Sequence, residues 1–158
     1  KLLFMGQDFG QLREWSEERE IDWFLLADEG HQHLQTFFSD LLKMYRKYPA
    51  LYANDCGYEG FQWINANDGD RSIFSFIRRD ETGRKSLLFV INFTPVARPD
   101  YRVGVPKKGK YTRLLDSEHG AYKASEAQSY VSAKGECDGQ PYSFAYPLPG
   151  YGTAIFRF

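Results

Sequence analysis

Cysteine, unbalanced charge and long apolar runs are all scarce in this sequence of 158 residues. Two cysteines, Cys56 and Cys137, are too few for a disulfide framework. We expect free thiols in a reducing cytosol, with a single disulfide as the alternative. The net charge of −1 gives no electrostatic basis for binding nucleic acid or an anionic membrane. No apolar run approaches the roughly 20 residues of a membrane-spanning helix. These absences predict a cytoplasmic protein that binds neither nucleic acid nor membrane.

Metal-binding and nucleophile motifs are missing as well. His31 and His33 are two residues apart, so on a helix they would not face each other. His119 and the two cysteines stand alone, and nothing has the spacing of zinc ligands. The GxSxG, P-loop and GxGxxG patterns are also absent. We therefore expect no metal and no cofactor.

The first fifty residues contain one apolar run and one amphipathic segment. The run KLLFMG (Lys1–Gly6) is typical of a strand buried on both faces of a parallel sheet. Apolar residues recur at helical spacing over His33–Tyr48, which predicts a helix that ends before Pro49. Asp28 is expected to cap the start of this helix. Because the chain begins with Lys1 rather than Met, we also expect it to be a piece of a longer protein.

From residue 51 onward, strand-like segments alternate with turn signals. LLFVINF (Leu87–Phe93) is almost wholly apolar, which indicates the central strand of a sandwich. The segment Pro106–Lys110 is expected to join neighbouring strands as a hairpin, and Ser117–Pro141 is polar with no clear period. Aromatic residues make up 17% of the chain, which fits either a β-rich core or a sugar-binding surface. We predict about seven strands in an antiparallel β-sandwich, formed by Phe61–Ala66, Ser72–Arg79, Leu87–Phe93, Tyr101–Val105, Tyr111–Leu115, Tyr142–Leu148 and Ala154–Phe158.

The segment GQDFGQLREWSEEREIDW, residues 6–23, has two tryptophans, many charges and no helical period. We expect a structured loop with a short helical turn, because ordered loops of this kind often carry function. Its carboxylates could take part in glycoside chemistry, which needs two of them about 5–5.5 Å apart for retention. The alternative is that they pair with Arg13 and Arg19 and hold the shape of the loop. These residues alone slightly favour a solvated charged loop that its tryptophans pin to a core.

Several longer motifs resemble one enzyme family. The segment at residues 1–23, KLLFMGQDFGQLREWSEEREIDW, is similar in sequence to the end of the catalytic barrel in bacterial 1,4-α-glucan (glycogen) branching enzymes of the α-amylase superfamily. The resemblance continues through YPALY (Tyr48–Tyr52), FQWINAND (Phe61–Asp68) and NFTPVARPDYRVGVP (Asn92–Pro106) to PYSFAYPLPGYGTAIF (Pro141–Phe156). It covers nearly the whole chain apart from residues 117–140.

The resemblance implies a fold and a division into two parts. Residues 1–50 would be the last strand, loop and helix of a (β/α)8 barrel, and residues 51–158 a C-terminal all-β sandwich. The loop at residues 6–23 would then lie at the carboxyl-end face of the barrel, where active sites of this fold are found.

The resemblance also implies a role for that loop in binding the substrate. Trp15 is expected to stack against a sugar, with its neighbours Arg13 and Glu14 in the same glucan groove, whereas Trp23 is expected in the core. Asp8 and Ser16 stand where the family commonly has Glu and Asn, which leaves the roles of these two positions open. The catalytic carboxylates of the family lie on earlier barrel strands, so no catalytic residue is assigned here.

Three functions remain open at this point. The chain could be part of a branching enzyme that acts on α-1,4-glucan or glycogen together with the rest of its barrel. It could instead be a glucan-binding sandwich of another superfamily member, or a cap that shields the barrel and binds nothing. Because the barrel neighbours of residues 1–48 are missing from this chain, we expect the fragment to self-associate through that segment.

Overall fold

The computed structural model describes residues 2–118, 120–121 and 127–158, and it confirms a mainly β protein with two antiparallel sheets. One helix is followed by ten strands within these residues. Their bounds are α1 (Glu29–Lys47), β1 (Phe61–Asn65), β2 (Ile73–Arg79), β3 (Ser86–Asn92), β4 (Arg98–Val105), β5 (Lys110–Asp116), β6 (Gly120–Ala121), β7 (Ser129–Val131), β8 (Ala133–Cys137), β9 (Gln140–Leu148) and β10 (Thr153–Arg157). Short 3-10 turns lie at Gln7–Phe9, Trp23–Ala27, Pro49–Leu51 and Tyr58–Gly60.

The larger sheet has the strand order β1-β2-β3-β10-β5-β6, and β7 also pairs with β5. The smaller sheet has the order β4-β9-β8. Inward-facing residues of both sheets form a single core between them, with Val90 and Phe156 from the larger sheet and Val103 and Phe144 from the smaller one. This arrangement is the predicted sandwich.

The outer face of the larger sheet is covered in part by α1. Met44 on α1 and Leu51 after it pack with Leu87, Leu115 and Ile155 of the sheet. A strand such as β3 therefore has a core on each side, with Leu88 and Val90 toward the sandwich interior and Leu87 toward α1. This double burial explains why the stretch Leu87–Ile91 of this strand is wholly apolar.

Helix α1 is the predicted helix, extended by four residues at its N-terminus. The Asp28 carboxylate accepts a hydrogen bond of 2.9 Å from the backbone N–H of Gly30, which confirms the predicted cap. The helix ends at Lys47, before Pro49, as the proline rule requires.

Residues 2–6 do not form a strand, so the strand predicted for Lys1–Gly6 is wrong over the described part of that segment. Residues 2–4 have no regular structure, a turn follows, and the side chains of Leu2 and Met5 are 87% and 51% exposed. A strand of a parallel sheet obtains its hydrogen bonds from neighbouring strands, and no described residue supplies them here.

The predicted hairpin around Pro106–Lys110 is also wrong. Strand β4 pairs with β9, whereas β5 pairs with β10, so this connection crosses from the smaller sheet to the larger one. The crossing lets Val105 and Tyr111 enter the same core from opposite sides.

The polar stretch Ser117–Pro141 contains more structure than its sequence suggested. It includes β6, β7, β8 and the start of β9, while residues 119 and 122–126 lie outside the described part. Strands β7 and β8 are short and mostly exposed, so their positions depend on pairing with β5 and β9 rather than on an apolar pattern.

Candidate functional site

The loop at residues 6–23 is ordered by hydrogen bonds rather than by a large core. The Arg13 guanidinium forms an ion pair with the buried carboxylate of Asp22, with its Nε 2.9 Å from Oδ2. The hydrogen bond from Arg13 lowers the pKa of Asp22. Gln11 donates from Nε2 to the Arg13 carbonyl oxygen at 3.0 Å, and its Oε1 accepts from the backbone N–H of Asp22 at 2.9 Å. Arg19 closes a second turn by donating to the Glu14 carbonyl oxygen at 2.6 Å.

These contacts support the prediction that the arginines hold the shape of the loop. For Asp22, the pair with Arg13 confirms it directly. Because Arg13 directs Nε and Nη2 to Asp22, both of these donors are already engaged in the loop.

Phe9 anchors the loop against the start of the helix. Its side chain is completely buried, and its carbonyl oxygen lies 2.6 Å from Nδ1 of His31 on α1. The ring of Trp23 stacks on Phe9 at a centroid distance of 5.4 Å, yet Trp23 itself is 51% exposed. The expectation that Trp23 is a core residue is therefore wrong, because Phe9 fills the buried position and Trp23 covers it from outside.

Trp15 contacts Phe4, whereas Trp23 contacts Phe9. Its ring meets the ring of Phe4 edge-on at 5.5 Å, and 37% of the residue remains exposed. Trp15, Arg13 and Glu14 all line one open groove of about 890 Å³. Its other walls are formed by Leu2, Leu3, Phe4, Met5, Gln7, Gly10, Gln11 and Phe38. The structure therefore brings together the three residues that the sequence singled out as substrate-binding.

Two other positions of interest lie beside this groove. Asp8 belongs to the 3-10 turn Gln7–Phe9 and lines a smaller groove with Gln35 and Thr36 of α1. The Ser16 hydroxyl accepts a hydrogen bond of 3.2 Å from the backbone N–H of Glu18. Sequence inspection missed the contributions of Phe4, Phe9 and Gln11, and for Phe9 the signal was a lone apolar residue between two glycines.

The NFTPV motif has a structural role. Asn92 is buried, and its side-chain amide donates 2.9 Å hydrogen bonds to the carbonyl oxygens of Val96 and Pro149. Its Oδ1 accepts from the backbone and the hydroxyl of Thr94. The asparagine thus ties the end of β3 to the turn between β9 and β10, and all of its polar atoms have partners.

No cluster of three or more His, Cys, Asp or Glu that could hold a metal ion occurs within the described ranges, and His119 lies outside them. Cys56 and Cys137 are free thiols, as predicted. None of the helices in the described part of the chain is long and apolar enough to cross a membrane.

The family comparison agrees with this fold. Residues 63–158 match the model of the alpha amylase C-terminal all-beta domain. This chain belongs to that family. The matched range begins inside β1 and includes both sheets of the all-β domain.

Curated relatives extend the similarity beyond the alpha amylase C-terminal domain to the first fifty residues of this chain. It is 49% identical to a 1,4-alpha-glucan branching enzyme GlgB of Butyrivibrio fibrisolvens over 100% of its length. Similar proteins of the same name from Cereibacter sphaeroides and Pseudomonas putida are 42% and 40% identical, over 97% and 99% of the chain. The chain spans 25%, 21% and 22% of these three relatives, respectively, or about a quarter of their length.

Solved structures support the fold alone. A MUTB mutant from crystals soaked with trehalulose matches 79% of this chain and 18% of its own, with a TM-score of 0.50 and 17% identity. A trehalulose synthase mutant in complex with Tris matches 87% of this chain and 21% of its own, also with a TM-score of 0.50 and at 13% identity.

Proposed function

We propose that this mainly β chain is part of a 1,4-α-glucan branching enzyme, which cleaves α-1,4-linked glucan and transfers the released chain to form an α-1,6 branch. The observation that carries the proposal is identity of 40–49% to proteins of that name over at least 97% of the chain. A sandwich of a different superfamily enzyme is less well supported, since the sequence identity to the trehalulose synthase mutant is only 13%.

The parent enzyme would supply the catalytic carboxylates, and its partner molecule would be α-1,4-glucan or glycogen in the cytoplasm. Within this chain, residues 1–50 would complete the catalytic barrel and residues 51–158 would form the attached sandwich. The exposed apolar residues at positions 2–5 support this division, because a neighbouring part of the enzyme would cover them. We assign no nucleic-acid or membrane partner.

Exchange of the matching segment tests the proposal directly. We expect the Butyrivibrio fibrisolvens enzyme to retain branching activity when its matching quarter is replaced by residues 1–158. Product formation is followed by the fall in iodine-complex absorbance of amylose and by chain-length analysis after debranching. The isolated chain and a truncated enzyme lacking the segment serve as controls, and both should be inactive. A chimera that folds with a cooperative thermal transition but forms no α-1,6 linkages would contradict the proposal.

The groove beside residues 6–23 is the part of this chain that we assign to the glucan. Trp15 is 37% exposed and offers an aromatic ring on which a pyranose can stack, and the exposed Glu14 can accept hydrogen bonds from sugar hydroxyls. Arg13 would position this wall through its pair with Asp22 and could contact the glucan with Nη1.

Residues 2–48 also support a prediction about the isolated chain. Leu2, Leu3, Phe4 and Met5 are exposed, and Leu2 and Leu3 border an apolar cavity of about 530 Å³ together with residues of α1. Burying each such side chain stabilises by about 1.5–3 kcal/mol, so we expect the fragment to self-associate through this segment. Light scattering should show assemblies for the 158-residue chain and monomers for a version starting at Ala50. Monomers in both cases, with amides 2–48 unprotected from hydrogen exchange, would contradict this.

A further inference from the structure

A second pocket, far along the chain from the glucan groove, has a different chemistry. It measures about 480 Å³ and lies where the end of α1 meets one end of the larger sheet. Its lining includes Lys47, Arg84, Lys85, Lys110 and Arg157, and among the residues that the structure describes it contains no aspartate or glutamate. Five of the 20 lysines and arginines of a nearly neutral chain are therefore gathered around one cavity.

Strand register explains the convergence of three of these cations. Arg157 on β10 lies directly between Leu87 on β3 and Thr112 on β5. Lys110 lies two residues before Thr112 on β5, so it shares the outer face of the sheet with Arg157, and Lys85 lies two residues before Leu87, in the turn that leads into β3. Two strand spacings place the backbones of Lys85 and Lys110 about 10 Å apart. This separation lets two flexible side chains converge on one small anion.

The turn before β3 is held in the form that presents Arg84 and Lys85. The Asp80 carboxylate accepts a 2.9 Å hydrogen bond from the Thr82 hydroxyl and also bonds backbone N–H groups of the turn. Gly83 adopts a positive φ of 65°, which suits glycine at this turn. The buried Asp80 carboxylate is thus engaged by the turn itself.

The five cations that line this pocket differ from five other cations of the chain in having no described ion pair. Arg13, Lys43, Arg71, Arg78 and Arg113 each form an ion pair with an aspartate. The five pocket cations are exposed, and within the described ranges none of them forms an ion pair or a side-chain hydrogen bond. Lys47 alone has a described ring contact, 5.7 Å from the ring centre of Tyr48. A cluster of like charges without counter-charges attracts anions and concentrates them locally.

We propose that this pocket binds a small phosphorylated molecule, such as a sugar phosphate. Lysine and arginine are the usual ligands of phosphate oxygens. The half-buried rings of Tyr48 and Phe158 offer apolar walls for a sugar ring, and Ala50 and Leu87 give an apolar floor. The volume lies in the range of small-molecule sites. The site is separate from the proposed glucan groove, so its test does not depend on the branching function.

Calorimetry of the 158-residue chain with pyrophosphate and glucose 6-phosphate tests the proposal, with glucose as the neutral control. We expect saturable binding of both phosphates, no binding of glucose, and affinities that fall as salt is added. The double variant Lys85→Gln/Arg157→Gln should weaken phosphate binding at least about tenfold. The matched variant Arg46→Gln/Lys134→Gln removes the same charges outside the pocket and should bind as the wild type does.

Circular dichroism and the thermal transition establish that both variants are folded. Equal affinities in the two double variants would overturn the proposal, as would the absence of saturable phosphate binding. A single-stranded oligonucleotide is included as a third anion. Binding of the oligonucleotide alone would also overturn it, since the occupant would then be a polyanionic chain. Perturbed amide resonances at Ser86 and Thr112 on adding glucose 6-phosphate would place the ligand in the pocket.

Discussion

Replacing Phe156 by Ala is expected to destabilise the sandwich more than any other change considered for this chain. Phe156 is completely buried on β10, and its ring lies 5.1 Å from that of Tyr146 and 5.4 Å from that of Phe144. Removing a buried phenylalanine costs about 3–5 kcal/mol, because the cavity collapses only in part. The midpoint of thermal unfolding should therefore fall by about 10 °C.

Phe93→Ala is the matched control for this variant. Phe93 follows β3 directly, is 62% exposed, and contacts the Phe74 ring at 5.6 Å. We expect it to change the free energy of unfolding by about 0.5 kcal/mol, as surface substitutions usually do. Urea unfolding followed by circular dichroism compares the two variants. Similar losses in both would show that Phe156 does not occupy the centre of the core.

The second large effect is expected for Gly104→Ala. Gly104 is buried in β4, opposite Ser143 of β9. A Cβ at this position would lie 2.2 Å from the carbonyl oxygen of Cys137, where the end of β8 closes over β4. Because the obstacle is backbone, the strand must shift, and overpacking of this kind costs about 1–3 kcal/mol.

Gly109→Ala is the corresponding control, since its Cβ would meet no atom within 4 Å. We expect this variant to unfold at nearly the wild-type urea concentration. The two alanine variants differ only in the space around the new methyl group, so the comparison isolates the close approach. If Gly104→Ala were as stable as Gly109→Ala, the packing of β8 over β4 would have to be revised.

Most of the sandwich could be predicted from the sequence because its long strands have one consistently apolar face. Ile73 and Ile77 alternate with outward residues on β2, and Tyr146 and Leu148 do so on β9. The short strands β7 and β8 gave no such signal, since their hydrogen bonds come from β5 and β9 and few of their side chains are buried.

Two wrong predictions also arose because strands pair with partners that are distant in the sequence. The pattern of Lys1–Gly6 predicts a strand, but strand formation depends on partners that the described residues do not include. The segment around Pro106–Lys110 has the composition of a hairpin, yet local composition does not specify which sheet each flanking strand joins. Pairing over long sequence distances is therefore what the sequence alone left undetermined.

The groove that we propose for the glucan could be anticipated in part. Its position in the loop at residues 6–23 followed from the two tryptophans, the charges and the family resemblance. The relative exposure of Trp15 and Trp23 could not be predicted, because it depends on Phe9 occupying the buried position. The pair between Arg13 and Asp22, nine residues apart, likewise depends on the path of the loop.

The most direct test of the proposed glucan groove is the effect of Trp15→Ala in the chimeric enzyme, measured beside Trp23→Ala. Stacking of a sugar on an aromatic ring should contribute about 1–2 kcal/mol by analogy with bases on aromatic side chains, so kcat/KM should fall about tenfold. Trp15→Phe should restore part of the loss, and the thermal midpoint should change little. Trp23→Ala should leave kcat/KM nearly unchanged. A Trp15→Ala enzyme that loses several degrees in Tm, but keeps its full activity per folded molecule, would contradict the account.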